Sequence, residues 1–330
     1  MARTQRELPS DHAARMRRAR TSLDGLSVGD AFGERFFVDA DLARSRIGSR
    51  TLPRAPWDTT DDTEMAYAIV EVLDRHGRIE QDTLADKFAH RYQADPARGY
   101  GKTVHGILRA IGEGMPWRAV SHEPFDGMGS MGNGAAARAG PVGAYFADDL
   151  DAVVKEARAS AEVTHAHPEG QAGAIAVALA AAATWRMVHA KRAPSGQTLF
   201  DTVLRHMPDG ETARAIADAS KLAPSVSVDF AARKLGNGAR TLAIDTVPLA
   251  IFCAARHLGD YVEALWSTVG ALGDRDTTCA IVGSIVALNS LATTPIPAPW
   301  LLSREPLGDR VPDSYHLTLV TGRSIPPPEE

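Results

Sequence analysis

Three segments of this chain, residues 172–187, 248–257 and 279–288, are apolar around nearly their whole circumference when read as helices. A helix with no polar face has to sit in the middle of a bundle, with other helices around it. The surrounding segments carry one apolar stripe each. Residues 61–76 place Met65, Ile69, Val72 and Leu73 at helical spacing, and Gly77 then supplies a left-handed stop. Residues 84–92, 104–111, 152–163, 198–207 and 212–222 read in the same way. Alanine is plentiful and aromatic residues make up only 6%, which agrees with helix throughout. No alternating strand is visible before residue 310, although residues 316–320 read as a short extended piece. The expected fold is all-α: one compact single domain with its core over residues 15–295 and an irregular tail at 322–330.

The bulk properties exclude several classes of function. The 330 residues are 44% hydrophobic, enough for a sizeable core. A net charge of −5, from 36 basic and 41 acidic residues, gives no reason to expect general nucleic-acid binding. The Arg-rich start lacks the apolar stretch of a secretory signal. The longest apolar run, residues 172–185, is too short for a bilayer. We therefore expect a cytoplasmic monomer away from membranes. Cys253 and Cys279 both lie in apolar stretches and read as small buried hydrophobes. Fixed-period repeats and sustained heptads are absent.

Two acidic helix starts carry the first chemical signal. Thr60-Asp61-Asp62-Thr63 precedes one apolar helix, and Gly273-Asp274-Arg275-Asp276-Thr277-Thr278 precedes another. Either alone reads as an ordinary N-cap, since acidic residues in a first turn are favoured by about 0.3–1 kcal/mol each. The second helix is apolar throughout, however, so its entry is expected to be buried. Buried carboxylates need a partner. Arg275 can serve one of them but not four. Two divalent cations would neutralise the group: Mg2+, or Mn2+ with the same oxygen donors. Zinc is disfavoured by the lack of His and Cys in either cluster.

The chain here resembles the ADP-ribosylglycohydrolases, the group that includes dinitrogenase reductase-activating glycohydrolase. Five blocks appear in the family's order: residues 25–33 (GLSVGDAFG), 60–63 (TDDT), 132–141 beginning GNGAA, 164–170 (THAHPEG) and 273–277 (GDRDT). The resemblance implies an orthogonal helical bundle with a di-metal centre at the bottom of a cleft. It implies Thr60, Asp61, Asp62, Asp274, Asp276 and Thr277 as metal ligands, with an ADP-ribose pocket beside them. Asp62 and Asp276 are the candidate catalytic residues, either one steering the attacking water or taking its proton. The implied substrate is an ADP-ribosylated protein or a small ADP-ribose conjugate.

Residues 125–134 (FDGMGSMGNG) are dense in glycine, and such a loop either merely connects helices or forms a nest of N–H groups for an anion. By the resemblance, Gly129, Ser130, Met131 and Gly132 would line pyrophosphate and ribose, Asn133 would support the loop and Phe125 would stack on adenine. His165 becomes a contact to phosphate or ribose, while His167 reads as structural. One departure bears on the linkage. Members that cleave serine linkages or poly(ADP-ribose) carry a glutamate seven residues after the aspartate of the first block, where this chain has Phe37. Glu34 and Asp39 lie nearby without aligning. The expectation is therefore an arginine-linked substrate. The alternatives are an O-linked conjugate (serine, or O-acetyl-ADP-ribose) and, in another class, a non-catalytic ADP-ribose binder or crystallin-like protein.

Overall fold

The structure is a computed structural model and describes residues 7–289 and 293–307. The described residues form seventeen helices, and the only β-type pairing among them is three isolated bridges. The extended piece expected at 316–320 and the tail at 322–330 lie outside the described residues.

The helix Pro168–His189 is central, buried along its length from Ala172 to Thr184. By length and composition alone it would cross a membrane, yet 78% of its apolar window is covered by the rest of the protein. Leu150–Glu162, Gly140–Tyr145, Gly196–His206 and Ala243–Arg256 pack around it. The other two all-round apolar segments also become buried helices, Ala243–Arg256 and Arg275–Val286. A single hydrophobic cluster runs through all of them.

The striped segments fold as their spacing predicts. Asp61–His76 starts behind the N-cap Thr60 and ends at Gly77, whose φ of 63° lets its N–H reach Leu73 O. Gln81–Ala94, Leu150–Glu162 and Gly196–His206 begin a little earlier than their apolar stripes. The reason is local: Glu80, Asp149 and Ser195 accept hydrogen bonds from first-turn N–H groups.

One helix has no stripe to read. His12–Glu34 is buried on all sides from Ser22 to Gly33. It packs antiparallel along Arg275–Val286 through Gly25, Gly29 and Gly33, which recur every four residues. A Cβ at these glycines would collide with the carbonyl oxygens of Gly283, Cys279 and Arg275 respectively. Only glycine permits this approach. It sets Asp30, near the end of one helix, beside the start of the other.

Aromatic packing fixes the neighbouring loop. Phe32 stacks on Trp300 with ring centroids 4.9 Å apart and meets Trp57 and Trp266 edge-on. Trp57 N–H donates to Ser303 O, and Glu305 N–H donates to Trp57 O. Residues 303–305 thus strap the chain that leads into Thr60.

Candidate functional site

The two acidic helix starts meet. Asp61, Asp62, Asp274, Asp276 and Thr277 line one cavity of 260 Å³. Thr277 Oγ1 donates to Asp62 Oδ2 at 2.9 Å and so links the two starts directly. Thr60 lies one step outside, lining an adjoining cavity of 750 Å³ to which Asp276 also contributes. Its hydroxyl accepts from Asp62 N and donates to Asp30 Oδ1 at 2.8 Å.

Asp30 entered the sequence reading only as the aspartate of the first glycine block, with no role of its own. It is fully buried and accepts from Thr60 N, Thr60 Oγ1, Thr63 N and Thr63 Oγ1. A carboxylate so occupied organises the Thr60–Thr63 turn rather than reaching into the cavity. The only sequence signal was an acidic residue embedded in an otherwise small and apolar helix.

Like charges and burial dominate the electrostatics. Burial, reinforced by Asp30, raises Asp61 to about 7. Burial likewise raises Asp30 to about 6. Asp62 and Asp276 are pushed well above the ordinary carboxylate range by burial and by the other aspartates, and Asp274 is raised too. Asp276 Oδ1 is buried without a hydrogen-bond donor. An all-oxygen donor set with an orphaned carboxylate oxygen suits a hard divalent cation. No three carboxylate, imidazole or thiolate groups form a ready cage among the described residues, so any cation here would draw on threonine hydroxyls and water as well.

A countercharge sits behind the cluster. Arg138 is fully buried, and its guanidinium is felt by both Asp61 and Asp62. Burial lowers its own pKa to about 10. Nothing near it in sequence marked it as a partner.

The glycine-rich loop adds to the lining of this cavity. Ser130, Gly132, Asn133, Gly134 and His165 line the same cavity, joined by Lys102, Thr103 and Thr241, which the sequence did not single out. Asn133 Nδ2 donates to Asp274 Oδ2 at 2.6 Å and to Thr246 Oγ1 at 2.9 Å, tying the loop to the second acidic start. Asn133 N donates to Thr241 O, and Met131 O accepts from Ala243 N. Gly129 is committed to packing, since a Cβ there would strike Ala166 and the His167 amide. Phe125 stands outside the cavity lining, 56% exposed at a tip where Phe125, Asp126 and Gly127 all have positive φ. His167 caps the central helix, its Nδ1 accepting from Glu169 N.

The larger cavity is walled by Glu34, Arg35, Phe37, Asp58 and Arg98, among others. Phe37 lies at its edge, 48% exposed beneath the Arg275 guanidinium. Glu34 presents a half-buried carboxylate with no hydrogen bond or ion pair to another described residue, raised by burial and by Asp30. Arg98 is clasped by Glu305 and Asp95, while its carbonyl accepts from Asp61 N.

Comparison with known proteins bears on the family and the fold. The sequence model of the ADP-ribosylglycohydrolase family matches residues 11–319. The ADP-ribosylhydrolase ARH3 of Xenopus tropicalis is 30% identical over 89% of this chain and 92% of its own length. The ADP-ribosyl-[dinitrogen reductase] glycohydrolase of Rhodospirillum rubrum is 25% identical over 84% and 86%. Among solved structures, an ADP-ribosylglycohydrolase-related protein complex superposes with a TM-score of 0.62 at 20% identity, covering 88% of this chain and 93% of that one. This last likeness concerns the fold.

Proposed function

The chain belongs to the ADP-ribosylglycohydrolase family, and we propose that it hydrolyses the bond between ADP-ribose and an arginine side chain of a modified protein, using two divalent cations. As a member it is a glycosidic-bond hydrolase. The observation that carries the site assignment is that Asp61, Asp62, Asp274 and Asp276 line one cavity together with Ser130, Gly132, Asn133 and Gly134 of the glycine-rich loop.

Asp61, Asp62, Asp274 and Asp276 would hold Mg2+ or Mn2+, with Thr60 and Thr277 beside them. When bound, the ions supply positive charge for the ribose hydroxyls and lower the pKa of water. The other roles belong to side chains. Asp62 or Asp276 takes the proton of the attacking water. The remaining carboxylates stabilise positive charge developing at ribose C1″. Ser130, Gly132, the Gly134 amide and His165 receive pyrophosphate and ribose, and Phe125 offers an exposed ring to adenine. Thr60 and Asp276 border the larger cavity as well, which leaves that cavity for the acceptor side chain. There Phe37 replaces a carboxylate, while Glu34 supplies a free one suited to a guanidinium group.

The deciding assay is release of ADP-ribose from ADP-ribosyl-arginine and ADP-ribosyl-serine peptides, each with Mg2+ and with chelator. Metal-dependent release from arginine is expected. Release from serine alone would overturn the linkage, and full turnover in chelator would overturn the metal role.

A further inference from the structure

His165 lies within the proposed ADP-ribose site, and the hydrogen bonds behind it determine what it offers a ligand. Its ring is 2% exposed. Nδ1 lies 2.7 Å from Thr164 Oγ1. That hydroxyl also accepts from Arg138 Nη2 at 2.8 Å. Thr164 and Arg138 are both fully buried, so water reaches neither group. Nε2 makes no hydrogen bond to a described residue and points towards Gly132 and Gly134 on the cavity wall.

Counting protons fixes the tautomer. Arg138 is donor-only, so one lone pair of Thr164 Oγ1 is taken by an N–H. The hydroxyl carries a single proton, and its other partner is His165 Nδ1. Were Nδ1 also protonated, the hydroxyl would face two donors and its own buried proton would have no acceptor. Nδ1 therefore accepts, and the ring proton sits on Nε2.

We propose that Arg138 and Thr164 are positioning residues that lock His165 as a neutral Nε2–H donor, so that it recognises a phosphate or ribose oxygen and takes no part in proton abstraction. This goes beyond contact alone, because an imidazole in the other tautomer would present a lone pair to the same ligand and repel its oxygens. Burial and the neighbouring Arg138 both disfavour the imidazolium, in keeping with a fixed neutral ring.

The proposal rests on the placement of ADP-ribose in this cavity for its consequence, but its first test does not need the ligand. In 15N-histidine-labelled full-length protein, the resonances lost in His165→Gln identify the ring. Two-bond proton–nitrogen correlations in the unmodified chain should show Nε2 protonated, unchanged between pH 5 and pH 8. A protonated Nδ1, or a ring that titrates across that range, overturns the proposal. In a second test, Thr164→Val should weaken ADP-ribose binding about tenfold in calorimetry, the loss of one hydrogen bond to a charged ligand. Thr164→Ser should restore it. Thr164→Val with unaltered affinity overturns the positioning role. If the unmodified protein shows the predicted tautomer but binds no ADP-ribose, it is the functional reading that fails and not the lock.

Discussion

At the scale of single residues, the site is a balance of buried charge. Asp62 and Asp276 stand among other aspartates and are driven strongly towards their protonated forms. Replacing either with Asn removes a proton acceptor and a metal-binding oxygen, so turnover should fall by roughly 10²–10⁴-fold. The same change removes like-charge repulsion, so each variant should melt no lower than the parent in chelator, as read by circular dichroism. A large loss of melting temperature would mark the aspartates as structural instead. Arg138 predicts the opposite pattern. It is the buried cation behind the cluster and also bonds Ser160 O, Thr164 Oγ1 and Gly134 O. Arg138→Met should cost about 3 kcal/mol in urea unfolding, because it strips a countercharge from buried carboxylates and leaves three acceptors short of a donor.

At the scale of elements, the site depends on one helix pair more than on any loop. The glycines of His12–Glu34 let it lie against Arg275–Val286, and that contact brings Asp30 to the second acidic start. Gly29→Ala has to push the backbones apart and should cost roughly 1–3 kcal/mol. Activity should fall with it even under conditions where the variant is fully folded, because Asp276 moves relative to Asp62. Gly48→Ala is the control: nothing lies within 4 Å of the added methyl, and stability should hold or rise slightly. A harmless Gly29→Ala would show that the two helices tolerate separation. The strap at 303–305 acts on the other side. Glu305 accepts from Thr59 N and grips Arg98, whose carbonyl holds Asp61 N. Glu305→Ala should speed hydrogen exchange at the Thr59 and Asp61 amides and lower kcat, while exchange in the central helix stays as it was.

At the scale of the whole molecule, protons and metal compete for one group of carboxylates. With the folded values of Asp30 and Asp61 raised from 3.8 to about 6 and about 7, the chelated protein prefers these groups protonated. Their contribution to stability is complete below pH 3.8 and is lost as pH rises through about 6 and about 7. A cation held by Asp61 needs that carboxylate ionised and gains from negative charge on Asp30 behind it, so its affinity rises over the same interval and binding releases protons. The gap between melting temperatures in Mg2+ and in chelator should therefore widen from pH 5 to pH 8, a differential measurement in which most other titrating groups cancel. A gap that is flat or shrinks with pH would argue against metal binding at these aspartates. The helical class, the three central helices and the striped helix Asp61–His76 with its Gly77 stop were all readable from the chain, because burial and capping are imposed on neighbouring residues and leave a local pattern. The helix His12–Glu34 was not, since a helix buried on all sides and packed through glycine has no apolar stripe to detect. The pairing of the two acidic starts was anticipated by charge satisfaction and by family resemblance, yet its geometry, the Asp30 buttress, the Arg138 countercharge and the proton order at Thr164 and His165 were settled by tertiary packing. Those depend on which distant backbones approach one another, and no local pattern of side chains encodes a distance between segments that are remote in sequence.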